Sequence, residues 1–253
     1  MPVVCVASPK GGVGKTTIAA TIGAGLQRIG WRVLALDLDR QNALRLHYEL
    51  PNDELPGIAD DFTTGKDWTE LVVEAPSGVF LIPFGMAGAD DCQRLAGHIG
   101  ANPGWIRRQL APFFEYRDLV MVVDMPPGPS VYETEFAGLS DLRLAVLLAD
   151  AMSLALLPRL QRGDFALDVG ANERGKTGYV LNQIEPRRRL CRDVVALAQE
   201  VLGDDLYGAV HQDEAVAEAV ACQLTVLDYA PDSVAAHDMA AVANRVHDSL
   251  APA

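Results

Sequence analysis

The residues best suited to chemistry cluster near the start of the chain. Ser8-Pro9-Lys10-Gly11-Gly12-Val13-Gly14-Lys15-Thr16-Thr17 follows a β-branched apolar run and precedes an Ala- and Leu-rich segment. The order matches the phosphate-cradling pattern G-x-x-x-x-G-K-[ST], except that Pro9 stands where the pattern has its first glycine. Gly11, Gly12 and Gly14 let the backbone turn tightly around Val13 and aim successive N–H groups at an anion, and a helix starting near Lys15 adds the positive end of its dipole. In such a loop Lys15 reaches β- and γ-phosphate oxygens, Thr16 ligates Mg²⁺ through its hydroxyl and Thr17 contacts the α-phosphate. The plainer alternative is a glycine turn with an incidental lysine. Against it, the chain has only four lysines, Lys10, Lys15, Lys66 and Lys176, beside 17 arginines, and two of the four lie in this turn. That bias indicates a requirement for a compact ammonium.

Two further segments end in carboxylates. Leu34-Ala35-Leu36-Asp37-Leu38-Asp39 carries two, and Met121-Val122-Val123-Asp124-Met125-Pro126-Pro127-Gly128 carries one before a stiff turn. Ligands of open α/β sheets sit outside the carboxyl ends of the strands, so all three segments are expected around one crevice. Asp124 is the natural Mg²⁺-holding acid, and the Gly128 N–H is placed to sense a γ-phosphate. Asp39 would polarise the attacking water. Asp37 would sit in the outer shell of the metal or simply form a turn.

The elements that must position these groups alternate along the whole chain. Val3 to Ala7, Val33 to Asp37, Val79 to Ile82, Leu119 to Asp124, Leu142 to Leu148, Tyr179 to Leu181 and Leu206 to Val210 read as strands. Thr16 to Ile29, about Arg187 to Leu202, and a segment after Pro231 capped by Asp232 or Ser233 read as helices. The result is an α/β fold, one domain over residues 1–253 with a mostly parallel twisted sheet flanked by helices. Periodicity is weakest between Asn52 and Asp118.

Composition narrows the function class. With 49% apolar and 22% charged residues the chain is an ordinary soluble globular protein, and the longest apolar stretch, Leu144 to Leu157, is broken by Asp150 and too short for a bilayer. A cytoplasmic protein is expected. A net charge of −13 disfavours broad adhesion to nucleic acid or anionic lipid. Four scattered cysteines give no zinc or redox spacing, and the five histidines give no metal spacing.

Together, the Lys-Gly-Gly-x-Gly-Lys-Thr-Thr loop, Asp37-x-Asp39 and Asp124-x-Pro-Pro-Gly128 resemble the deviant Walker A ATPases of the MinD and ParA type, P-loop NTPases of the SIMIBI class. The resemblance implies ATP and Mg²⁺ as cofactors, and a homodimer closed across ATP in which Lys10 is the signature lysine reaching the partner's phosphates. It also implies that Asn182 reads adenine and that Val210 and His211 line the base pocket, although the residues themselves assign His211 no chemistry. Leu81-Ile82-Pro83-Phe84-Gly85, Val210-His211-Gln212-Asp213-Glu214-Ala215-Val216 and Tyr229-Ala230-Pro231-Asp232-Ser233 are similar to the cellulose-biosynthesis branch. That likeness implies a slowly hydrolysing accessory ATPase recruited to an inner-membrane cellulose secretion complex. Its partners would be synthase components and a small accessory polypeptide, with membrane contact through partners alone and no specific nucleic acid.

Other functions leave distinct traces. A DNA-partition ATPase would use Arg107-Arg108 and Arg187-Arg188-Arg189 with Arg192, which a solvated helix face also explains. A membrane oscillator would need a basic amphipathic terminus, whereas His247 to Ala253 contains no Lys or Arg. A scaffold that binds ATP without hydrolysing it is the remaining alternative.

Overall fold

The computed structural model describes residues 1–50, 55–62, 65–153, 155–156 and 175–250. Eight strands form one sheet: β1 (Val3–Ala7), β2 (Arg32–Asp37), β3 (Val73–Glu74), β4 (Phe80–Ile82), β5 (Leu119–Asp124), β6 (Leu142–Leu148), β7 (Lys176–Ile184) and β8 (Leu206–His211). Their spatial order is β3-β4-β2-β5-β1-β6-β7-β8, and every pairing is parallel except that of β3 with β4. β3 has only two residues and no signal in the weak Asn52 to Asp118 region. β7 runs longer at both ends than Tyr179 to Leu181, because Lys176 and Thr177 keep pairing with Leu142 and Arg143 at the polar margin of the sheet.

Side chains alternate between two cores, as a sheet covered on both faces requires. Val3, Cys5 and Ala7 face one core with Leu95, Ile106, Phe136 and Ala198, while Val4 and Val6 face the other with Ile18, Leu26, Met239 and Val246. The first layer of helices is α3 (Ala89–Ala101), α4 (Trp105–Leu110), α5 (Val131–Ala137) and α6 (Arg189–Leu202), with the short α2 (Ile58–Asp61) beside α3. The second is α1 (Lys15–Ile29), α8 (Val226–Tyr229) and α9 (Val234–Leu250), with α7 (Glu214–Ala221) against α8.

α1 shows why its composition is so small-residue rich. It is buried nearly throughout, and a Cβ at Gly25 would stand 2.5 Å from the Ala243 methyl of α9, so glycine permits the two helices to touch. Gly30 closes α1 at φ 116°, in the left-handed region that suits glycine after a helix. Of the two cap candidates for α9, Ser233 serves, its Oγ accepting from the Ala236 N–H at 3.2 Å. Among the described residues no helix is long and apolar enough to cross a membrane.

Candidate functional site

Sheet register brings the carboxylates together. Asp124 pairs with Asp37 on one side and with Val6 of β1 on the other, so the three strands end level. The chain leaving β1 then turns through Gly12 at φ 78° and Gly14 at φ 84° into α1. Both values lie where only glycine is relaxed. No side chain caps the start of α1, so its first N–H groups stay available to an anion. The crevice, about 270 Å³, is lined by Ser8, Gly11, Gly12, Gly14, Lys15, Thr16 and Thr17 of the loop, with Asp39, Gln41, His47 and Pro127 opposite.

Lys15 is folded into this crevice. Its Nζ lies 2.5 Å from Asp124 Oδ1 and 3.6 Å from Asp39 Oδ2, with only 6% of the side chain exposed. The other Asp124 oxygen, Oδ2, is buried with no hydrogen-bond partner among the described residues. Burial pushes the Asp124 carboxyl above the usual carboxylate range, against the pull of Lys15 and of the adjacent Thr16 hydroxyl. Asp37 is pushed well up, first by burial and next by the Asp124 charge.

The two acids of the β2 end divide their tasks. Asp37 Oδ1 accepts from the Asp39 N–H at 2.9 Å and Oδ2 from the Leu44 N–H at 3.0 Å, so it shapes the loop that follows β2. These contacts give Asp37 a role in the turn, level with Asp124 in the sheet register. Asp39 uses Oδ1 for the Gln41 N–H at 3.0 Å and turns Oδ2 toward Lys15. The Gly128 N–H, expected to be open to a γ-phosphate, instead donates to the Ser8 carbonyl at 3.0 Å, which ties the Pro126-Pro127-Gly128 turn to the phosphate loop.

A second cavity, about 470 Å³, continues from the first through Gly14, Thr17 and Val220, which line both. Asn182, Gln183, His211, Gln212 and Asp213 supply its polar wall, and Val216 and Met239 its apolar one. Asn182 donates Nδ2 to the Val13 carbonyl at 2.8 Å, joining the end of β7 to the phosphate loop. Val210 is fully buried behind this wall, and His211 stands at its edge. Asn182 and His211 thus share one trough with the phosphate loop, whereas Val210, expected to line it, does not.

Lys10 stands outside the crevice. Its Nζ pairs with Asp150 Oδ2 at 2.6 Å, both side chains about one-third exposed, and Asp150 in turn accepts from the Ser153 N–H at 2.9 Å. Asp150 follows β6 as Asp124 ends β5, a strand-end signal that the sequence offered. Asp238, which holds His211, carried no such signal because it lies inside a helix. His47 was also missed: it is buried beside the loop, and burial lowers its pKa to about 4.

The remaining features stay apart from the trough. Arg188 pairs with Glu185, Arg189 with Asp193, and Arg192 donates to the Pro186 and Arg187 carbonyls, so this basic run is largely engaged by its own surroundings. All four cysteines are free thiols, and burial raises the Cys5 thiol to about 12. A small apolar cavity of about 140 Å³ between Phe80, Phe113 and Tyr116 opens at the amino ends of the strands.

Comparison with known proteins agrees with this geometry. A family model for the cellulose biosynthesis protein BcsQ matches residues 1–246. The cellulose biosynthesis protein BcsQ of Salmonella typhimurium is 26% identical over 248 residues, covering 95% of this chain and 92% of that protein. Among solved structures, the cell division ATPase MinD of Pyrococcus furiosus superposes with a TM-score of 0.77 at 19% identity, covering 98% of each chain. Cobyrinic acid a,c-diamide synthase of Mycobacterium smegmatis, with a bound ATP analog and magnesium, gives 0.74 at 22% identity over 96% of this chain and 93% of that one.

Proposed function

The chain belongs to the family of the cellulose biosynthesis protein BcsQ, and from that premise we propose that it is an ATP-binding, slowly hydrolysing dimerisation switch serving cellulose synthesis and secretion. The observation that carries this reading is the Lys15 and Asp124 pair at the mouth of the glycine loop, with the second oxygen of Asp124 buried and unpartnered. A carboxylate with one orphaned oxygen, on a residue whose carboxyl also meets the Thr16 hydroxyl, is a donor set that suits Mg²⁺. The residues therefore fit both ATP and Mg²⁺.

The chain's own groups divide the work. Gly11, Gly12, Val13 and Gly14 offer backbone N–H groups to the phosphates, and Thr17 the start of α1. Lys15, now paired with Asp124, would serve the phosphate oxygens, and Asp124 with Thr16 would hold Mg²⁺. Mg²⁺, when bound, neutralises charge on the phosphates. Asp37 keeps the loop after β2 in place behind these ligands, and Asp39 holds the attacking water with Oδ2. Asn182 and His211 frame the base, with Val210 buried behind them.

Lys10 is the switch. In the single chain Asp150 holds it, and ATP-driven pairing of two copies draws it across to the partner's phosphates, where a cation in trans accelerates hydrolysis by about 10³ to 10⁵. The protein acts in the cytoplasm and reaches the inner membrane through components of the synthase complex and a small accessory polypeptide.

The test has two arms. Titration calorimetry should show Mg²⁺-dependent ATP binding that Lys15→Ala weakens on the order of 100-fold, and deletion of the gene should lower cellulose output, restored by wild type and not by Lys15→Ala. Normal polymer in the deletion strain would remove the cellulose role and leave the nucleotide site standing. Micromolar, steeply salt-dependent DNA affinity would transfer the chain to the partition branch. Full complementation by Lys15→Ala would make it a scaffold.

A further inference from the structure

The end of the sheet opposite the trough carries a cavity that nucleotide chemistry does not use. β2 and β5 run from Arg32 and Leu119 at that end to Asp37 and Asp124 at the other. Leu34 and Leu119, both buried, line the deep side of the cavity, with Phe80 of β4 and Val72, just before β3, beside them. Phe113 and Tyr116 complete it from the turn Ala111–Glu115 and the residue after it, where the Tyr116 N–H donates to the Phe113 carbonyl at 3.1 Å.

Tyr116 is 48% exposed, yet its ring stands beside this space rather than filling it. The Arg32 guanidinium lies 5.1 Å from the ring centroid and is itself fixed by two bonds to the Asp118 carboxylate, each 2.7 Å. A cation over the ring face, held at two points, keeps the tyrosine as a wall.

Volume and lining define the guest. The cavity, about 140 Å³, compares with a dry apolar cavity of about 150 Å³ that takes benzene. It is smaller than the roughly 300–1,000 Å³ that encloses a free ligand of ordinary size. One aromatic side chain fits, with the rest of its polypeptide lying across a mouth made of Tyr and Arg, the residue types that dominate interface energetics. Charge narrows the partner further. Arg32 and Asp118 cancel, and near them Glu74, opposite Phe80 in strand register, and Glu115 outnumber Arg117, in a chain of net charge −13.

We propose that this cavity is an interaction site that anchors one phenylalanine-sized aromatic side chain of a basic polypeptide segment. It lies at the far end of β2 and β5 from the phosphate loop and does not depend on the ATP reading.

The test presents the full chain with three capped tripeptides, Lys-Phe-Lys, Glu-Phe-Glu and Lys-Ala-Lys, and with toluene as competitor, and follows binding by NMR titration. Lys-Phe-Lys should bind with a Kd of about 1 mM, and toluene should displace it. Glu-Phe-Glu should bind about threefold more weakly at low salt, a difference that vanishes in about 0.5 M salt, and Lys-Ala-Lys about tenfold more weakly or worse. Val72→Phe places a ring of the chain's own in the space and should abolish binding of both Lys-Phe-Lys and toluene, with thermal unfolding showing that the variant is folded. Tyr116→Ala, at an exposed position, removes one wall and should weaken Lys-Phe-Lys about tenfold, which keeps the test intact where Val72→Phe does not fold. Equal affinity for Lys-Phe-Lys and Lys-Ala-Lys, or unchanged binding in the folded variants, overturns the proposal. Toluene bound without any tripeptide makes this a site for free hydrocarbons and overturns the polypeptide partner, and tighter binding of Glu-Phe-Glu overturns the basic one.

Discussion

The two ends of the trough are built on opposite physical terms. At the phosphate end, formal charges are packed away from water: Lys15, Asp37 and Asp124 are buried, and the acids are pushed upward by that burial. At the base end the groups are mostly neutral hydrogen-bonding ones, held in place by the backbone of β7 and β8 and by α9. Desolvating an ion costs several kcal/mol and a satisfied amide far less, so the phosphate end is where this fold gives up stability for function. Changes at the base end should cost the fold less than changes at the phosphate end and show their value mainly in affinity.

Lys15→Ala attacks that contrast most directly. It leaves Asp124 buried without a counter-charge and should cost about 3–5 kcal/mol in urea unfolding at pH 7, beyond its loss of ATP affinity on the order of 100-fold. Pairing Lys15→Met with Asp124→Leu should return most of the stability and none of the binding. If the double variant is as unstable as the single one, the phosphate end is not under electrostatic strain.

His47 extends the same idea to acid conditions. Its pKa is lowered from 6.5 to about 4 by burial, so above pH 6.5 it is neutral whether the chain is folded or not and has no effect. Below that the unfolded chain takes up a proton the folded one refuses, and stability falls until about pH 4. At pH 5 the loss is about 2 kcal/mol, and His47→Leu should remove it from the difference between urea curves at pH 7 and pH 5. An unaltered pH slope in that variant places the acid sensitivity elsewhere.

Smaller effects belong to the base end and the rim. Asn182→Ala should cost about 1–2 kcal/mol for the orphaned Val13 carbonyl and about tenfold in ATP affinity by calorimetry. Lys10→Ala should change stability by no more than about 0.5 kcal/mol, because its partly exposed pair with Asp150 is screened by water. ATP binding should persist in it, and light scattering should show the ATP-dependent dimer gone; a variant that still pairs removes the switch role from Lys10.

The same contrast explains what the sequence disclosed. The phosphate end is local: glycines at 11, 12 and 14 and two threonines constrain one turn, and β-branched runs ending in Asp37 and Asp124 announce strand ends. These elements appear in the structure within a residue or two of the expected bounds. The base end depends on contacts between residues far apart, such as Asp238 on His211 and Val13 on Asn182, and no local pattern encodes them. Lys10 was visible as an unusual lysine, yet its partner Asp150 read only as a break in an apolar stretch. The short β3, α2 and α4 were illegible because each buries its few apolar residues through tertiary packing rather than through a period of its own.

The place of β1 in the sheet has a consequence for synthesis on the ribosome. Val3 pairs with Met121 and Val4 with Leu142, so β1 waits longer than any other strand of the sheet for a neighbour. Until β5 has emerged, with about half the chain made, Val3-Val4-Cys5-Val6-Ala7 remains an unpaired apolar segment of the kind that seeks other strands. The phosphate loop therefore cannot take shape early, and a nascent chain truncated before β5 should depend on chaperones and gain no protection from ATP.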